Sequence, residues 1–205
     1  MKRKEEIERA LSTLSRRMAL SGAHDLEVLC CGASALCILG LLSRSTMDVD
    51  VLGIISDEKE VLPCEHFSPE MESAIAASGR ELGLPDDWFN GSASTLLQRS
   101  LPSGTLERSK KHRQVFGACL AVRFLDRMDQ VALKFFAAMD PKDGHRHLQD
   151  LEEIAPTRPE IIHAITWMTA WKSNQAFRDR LAYLVEGFDF PDLAESIRTI
   201  PDYPI

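Results

Sequence analysis

Much of what the sequence lacks is informative. Its five cysteines (Cys30, Cys31, Cys37, Cys64, Cys119) include no CxxC pair, which excludes a zinc ribbon or a dithiol redox site of ordinary spacing. An odd count with two neighbours adjacent is not a disulfide framework either, so a reducing cytoplasm is the plain expectation. A run long enough to cross a bilayer is also missing. The uncharged stretch Val28 to Ser43 has 16 residues. A spanning helix needs about 20, and a Gly-Ala-Ser turn signal interrupts this stretch. The N-terminal segment "MKRKEEIERALSTLSRRMAL" mixes acids with bases, lacks the apolar centre of a signal peptide, and reads as an amphipathic helix. The expectation is a cytoplasmic protein with no membrane partner. Surplus positive charge is absent too: the net charge of -7 argues against wholesale wrapping of nucleic acid. No internal repeat or low-complexity tract occurs.

What is present is an ordinary globular composition, 44% hydrophobic and 27% charged over 205 residues. That length buries a core of normal size without a disulfide or metal staple. "DLEVLCC" (Asp25 to Cys31) is a short β-leaning run ending at Gly32, and "SALCILGLL" (Ser34 to Leu42) predicts a short helix starting at the turn. "MDVDVLGII" (Met47 to Ile55) alternates and then becomes continuously apolar, as a largely buried strand does. Residues 69–83 read as a helix opening on Pro and closing on Gly83, and "LPDDWFNGSAS" as a loop. "HRQVF" and "ACLAVRFL" read as two strands meeting at Gly117, after which helices are expected over about 126–140, 145–155, 159–172 and 176–188. The fold class predicted is α+β. A small mixed β-sheet flanked by helices occupies residues 1–125, and a helical portion packed on that core occupies 126–205.

Asp48 and Asp50 are the anomaly, because Asp disfavours sheets and resists burial unless paired or metal-bound. On a strand their side chains share a face while Met47, Val49 and Val51 turn to the core. Two carboxylates that close repel one another unless a cation lies between them, and Mg²⁺ accepts one or two carboxylates together with water and phosphate oxygens. The plainer alternative is a strand start with one acid hydrogen-bonded and the other solvated. Gly32, Ala33 and Ser34 lie where a strand turns into a helix, so backbone N–H groups and the Ser34 hydroxyl can approach a phosphate there. If the flanking strands are antiparallel neighbours, turn and carboxylates share one site.

"GAS", a short helix and then "RSTMDVDV" resemble the signature of the nucleotidyltransferase superfamily, and Arg44-x-Thr46-x-Asp48-x-Asp50 is similar to its bacterial AbiEii-type branch, which includes toxins of toxin–antitoxin pairs. Lys134 in "VALKFFAAMD" and Asp150 in "HRHLQDLEEI" match the branch's later Lys and Asp positions. The resemblance implies a nucleotidyltransferase-like fold and a Mg²⁺-dependent enzyme that moves a nucleoside monophosphate from a nucleoside triphosphate to a hydroxyl of RNA or protein, with an antitoxin as partner. It implies that Asp48 and Asp50 bind the metal, that Gly32, Ala33, Ser34, Arg44, Thr46 and Lys134 bind the nucleotide, and that Asp48, Asp50, Lys134 and Asp150 are catalytic. Of two departures, the first favours an alternative, a catalytically degenerate relative that binds a nucleotide or protein without chemistry, and the second bears on efficiency. The strands from His112 to Leu125 contain no third acid, with Arg123 standing where one would be expected, and Ala33 replaces a commoner Gly. Lys134 alone also reads as a snorkelling side chain whose stem covers apolar surface. The basic run "RSKKHR" (Arg108 to Arg113) reads as a solvated loop or a hold on a nucleic-acid backbone. Trp88, Trp167 and Trp171 read as packing residues. Cys64-x-His66 and His145-x-His147 lack partners at zinc-finger spacing.

Overall fold

The computed structural model describes residues 4–170 and 174–200, in two compact units that divide between Asp126 and Arg127. Trp171 lies outside the described residues.

In the first unit, α1 (Lys4–Ser21) carries Ile7, Leu11, Leu14 and Met18 at helical spacing, and all four are buried. It packs on α3 (Pro69–Leu82). That helix starts where Ser68 Oγ accepts a hydrogen bond from the Met71 amide with Pro69 in the first turn, and it stops at Gly83 in the left-handed region. The strands are β1 (Leu26–Cys31), β2 (Val49–Ile55), β3 (Val61–Leu62), β4 (Phe89–Asn90), β5 (Arg113–Phe116) and β6 (Leu120–Phe124). They form one small mixed sheet in the order β3-β2-β1-β6-β5, with β4 also pairing β2. β1 is antiparallel to β2 and parallel to β6, and β5 and β6 form a hairpin. Short helices α2 (Gly32–Ile38) and α4 (Thr105–Ser109) and a 3-10 segment (Ser92–Arg99) complete the unit.

Three local features differ from the sequence reading. α2 ends at Ile38 rather than Leu42, because Gly40 takes a φ of 72° and breaks the helix. The stretch read as a loop holds β4. Trp88 is fully buried there, and its indole N–H donates to the Ile75 carbonyl and the Ser78 hydroxyl, while its own carbonyl accepts from the Val49 amide at 2.6 Å. Met47 does not enter the core: it is 56% exposed and precedes β2, whereas Val49 and Val51 are fully buried as expected.

The second unit is helical: α5 (Arg127–Ala138), α6 (Gly144–Ile154), α7 (Arg158–Thr169), α8 (Gln175–Glu186) and α9 (Pro191–Arg198). α5 packs against α6 and α7, and α8 against α9. α7 begins in a capping box in which the Glu160 carboxylate accepts from the Thr157 amide at 2.7 Å. Trp167 is buried in it. No helix among the described residues is long and apolar enough to cross a membrane.

Candidate functional site

The turn and the acid pair meet where β1 ends and β2 begins. Cys31, the last residue of β1, lies opposite Asp50. A bulge between β1 and β2 sets this register. Leu29 faces Gly53 but Cys30 faces Val51, so Leu52 is the extra residue, and its carbonyl accepts from the buried Ser94 hydroxyl at 2.9 Å. Since a one-residue slip exchanges the faces of a strand, the bulge decides on which face Asp50 emerges.

Gly32 follows directly, with φ 80°. A Cβ on it would stand 2.3 Å from Asp50 Oδ2, so the carboxylate lies against the glycine's bare Cα. Asp48 stands just before the strand and is half-buried, as is Asp50. The buried Thr46 donates its hydroxyl to Asp48 Oδ1 at 2.7 Å, a bond that fixes one oxygen and leaves the other to a ligand. Arg44 directs a guanidinium nitrogen to the Ser45 carbonyl, and its own carbonyl accepts from the Cys37 thiol of α2. Cys30, fully buried, has its thiol pushed well up by desolvation and by the charges of Cys31 and Asp50, so it stays a neutral packing group.

Ala33 and Ser34 are buried in α2. Ser34 is 0% exposed, and its Oγ has no hydrogen-bond partner among the described residues. An orphaned buried hydroxyl beside a turn that faces two acids is a costly arrangement.

Two residues near this site have no assigned part in the sequence reading. Asn90 lies opposite Asp50 across the parallel pairing of β4 with β2, where its Oδ1 accepts from the Ser92 amide at 3.0 Å. The loop reading concealed it, because a two-residue strand leaves no periodicity to detect. Asp126 comes one residue after the strand searched for a third acid. The Leu125 amide donates to the Cys30 carbonyl at 3.0 Å, which brings Asp126 to the sheet end where Gly32 and Asp50 stand. It is buried and held by Lys111 (2.7 Å) and His112 (3.1 Å), so the basic run is partly an ion-paired collar rather than a free loop. Among the described residues no group of three or more His, Cys, Asp or Glu is set to hold a metal.

Lys134 and Asp150 are joined in the second unit. Lys134 Nζ donates to Asp150 Oδ2 at 2.6 Å and stands 3.4 Å from His147 Nδ1. Both members of the pair are buried, Lys134 at 6% exposure. A snorkelling lysine would carry its ammonium to water, so that reading is corrected. The structure therefore gathers the predicted residues into two sets, Gly32 to Ser34 with Thr46, Asp48 and Asp50 in the first unit, and Lys134 with Asp150 in the second. No family model matches the chain, and neither a curated protein nor a solved structure matches it.

Proposed function

We propose that the chain is a Mg²⁺-dependent nucleotidyltransferase that moves a nucleoside monophosphate from a nucleoside triphosphate to a hydroxyl acceptor on RNA or protein, as the toxin of a toxin–antitoxin pair. The observation that supports the reading is the packing of the Asp50 carboxylate over Gly32 at the β1–β2 junction, which sets one member of the acid pair against the small-residue turn.

The donor set suits magnesium. Asp48 and Asp50 offer hard carboxylate oxygens, both half-buried rather than sealed, and Mg²⁺ takes one or two carboxylates while keeping waters and phosphate oxygens. Asp48 and Asp50 would hold the ion, which would supply charge neutralisation for phosphoryl transfer. The chain's own residues do the rest. Thr46 fixes the direction of Asp48. Gly32 leaves the space that any side chain would fill. Ser34 Oγ is fully buried as well as unpartnered among the described residues, so it reaches a phosphate only if the turn opens. The part expected of Lys134 and Asp150 in phosphate binding is what a Lys134 variant measures.

A second reading, a nucleotide-binding relative without chemistry, is favoured by one observation: no third acid joins the pair in a metal-ready group among the described residues. Titrating the protein calorimetrically with each of the four nucleoside triphosphates, with and without Mg²⁺, and then following transfer of α-labelled phosphate to total RNA and protein, separates the two. Mg²⁺-dependent binding with label transfer is expected. Binding without transfer selects the second reading, and no binding at millimolar nucleotide by the folded protein ends both.

A further inference from the structure

At the opposite end of β1 from Gly32, Glu27 accepts from two guanidinium groups on neighbouring strands. Arg123 of β6 donates Nε at 2.5 Å, and Arg113 of β5 donates Nε and Nη2 at 3.1 and 3.2 Å. These three side chains line a cleft of about 440 Å³, closed on its other side by Ile55 and Lys59 at the end of β2 and its turn. β1 has six residues, so at about 3.3 Å per residue this cleft lies on the order of 17 Å from the Asp50 site.

Two arginines share the one Glu27 carboxylate, so the positive excess is local to this trio, the lining as a whole being balanced by Asp25 and Asp57. Arg123 is 9% exposed, yet its two terminal nitrogens make no hydrogen bond or ion pair among the described residues. Burial pushes the Glu27 carboxyl up, but the Arg113 and Arg123 hydrogen bonds outweigh it and hold it below the ordinary range, so Glu27 stays ionised and cannot serve as two counterions. Lys59 on the rim makes no ion pair among the described residues, although Glu107 lies near enough to feel its charge and that of Arg123; Asp25 and Asp57 of the lining are exposed to solvent, as Lys59 itself is, and are screened to the same degree. The terminal nitrogens of Arg123 are not sealed from water, so its fork opens into the cleft, where an anion can displace that water and take a paired, charge-assisted contact. Exposed Val115 adds an apolar wall.

We propose that this cleft binds a small organic molecule through a phosphate or carboxylate group seated on the free fork of Arg123, with Lys59 as the second cation. The volume falls in the range of small-ligand sites, roughly 300 to 1,000 Å³. The site is separate from the Asp48–Asp50 pair and stands independently of the activity proposed for it.

The test is calorimetric titration of the whole protein at low salt, without divalent metal, using pyrophosphate in one arm and succinate in the other. Saturable binding of at least one probe in the millimolar range or tighter is expected, weakened about tenfold in Arg123→Met and severalfold in exposed Lys59→Met, and unchanged in Asp50→Ala. The probe that binds tighter identifies the phosphate or the carboxylate source. Should Arg123→Met fail to fold, Lys59→Met decides alone. The proposal is overturned if neither probe binds the wild type, if binding survives in the deciding variant, or if Asp50→Ala abolishes it.

Discussion

The carboxylate of Asp50 rests on the Cα of Gly32, so near that a methyl group at position 32 would stand 2.3 Å from Oδ2. Gly32 also has a φ of 80°, which an L side chain adopts only under strain. Both costs fall on Gly32→Ala. A loss of about 1–3 kcal/mol of stability is expected from the backbone alone, read as a lower urea midpoint. The variant that still folds has Asp50 displaced and binds Mg²⁺-nucleotide more weakly than wild type. Unchanged stability and affinity would show that the acid and the turn are neighbours without being a site.

Thr46 tests whether Asp48 is held for a purpose. Thr46→Val keeps the shape and removes the donor to Asp48 Oδ1, while Thr46→Ser keeps the donor. Losing such a bond to a charged group costs about 1.5–3 kcal/mol. Thr46→Val is expected to weaken Mg²⁺-nucleotide binding with Thr46→Ser close to wild type, and Asp48→Ala is expected to abolish it, at a cost in stability from the same lost bond. Equal affinity in Thr46→Val and Thr46→Ser would make the bond purely structural.

The parts of this arrangement that were legible in the sequence are those with a periodic or positional signal. Alternation gave β2, and the apolar run ending at Gly32 gave β1. An antiparallel pairing of the two brings "GAS" to "DVD" without further information. The bulge at Leu52 carries no comparable signal, because its stabilising partner, the Ser94 hydroxyl, comes 42 residues later. β4 is too short for alternation to appear, and it owes its place to Trp88, whose indole bonds to α3 are tertiary. The snorkelling reading of Lys134 fails for a related reason. A lone charge on an apolar helix face looks the same whether it reaches water or meets Asp150 on the next helix. Which occurs depends on how α5 and α6 pack.

Glu160 gives the pH dependence a sign. Burial raises its carboxyl, but hydrogen bonds from Arg127 and from Thr157 prevail and lower it beneath the ordinary 4.5. In the window below that value the unfolded chain holds the proton more tightly than the folded one, so stability rises with pH. Glu160 therefore contributes fully above pH 4.5, and the contribution is lost as pH falls through its lower folded value. Urea midpoints taken from neutral pH into this acid range should fall more steeply for wild type than for Glu160→Gln, which starts lower because Arg127 Nε loses its charged partner at 2.6 Å. Parallel curves would assign the acid sensitivity to other carboxylates.

Lys134 and Asp150 separate folding from function most sharply. Both are buried and bonded at 2.6 Å, so removing one leaves the other a buried charge short of its ion-pair partner, a loss of up to about 3–5 kcal/mol in comparable pairs. Lys134→Met is thus expected to destabilise the protein strongly, whereas a snorkelling lysine would have been replaced at no cost. Lys134→Met with Asp150→Leu removes both charges and should recover much of the stability, as replacement of a buried pair by apolar groups commonly does. The double variant is the useful one, because it is expected to fold while lacking both groups. If the pair serves only the helical unit, the double variant binds Mg²⁺-nucleotide as wild type does. If Lys134 neutralises phosphate, its affinity falls by about 1.5–3 kcal/mol even though its melting temperature is restored. Calorimetric titration and thermal unfolding of the same four proteins, wild type, both single variants and the double, read the two effects independently.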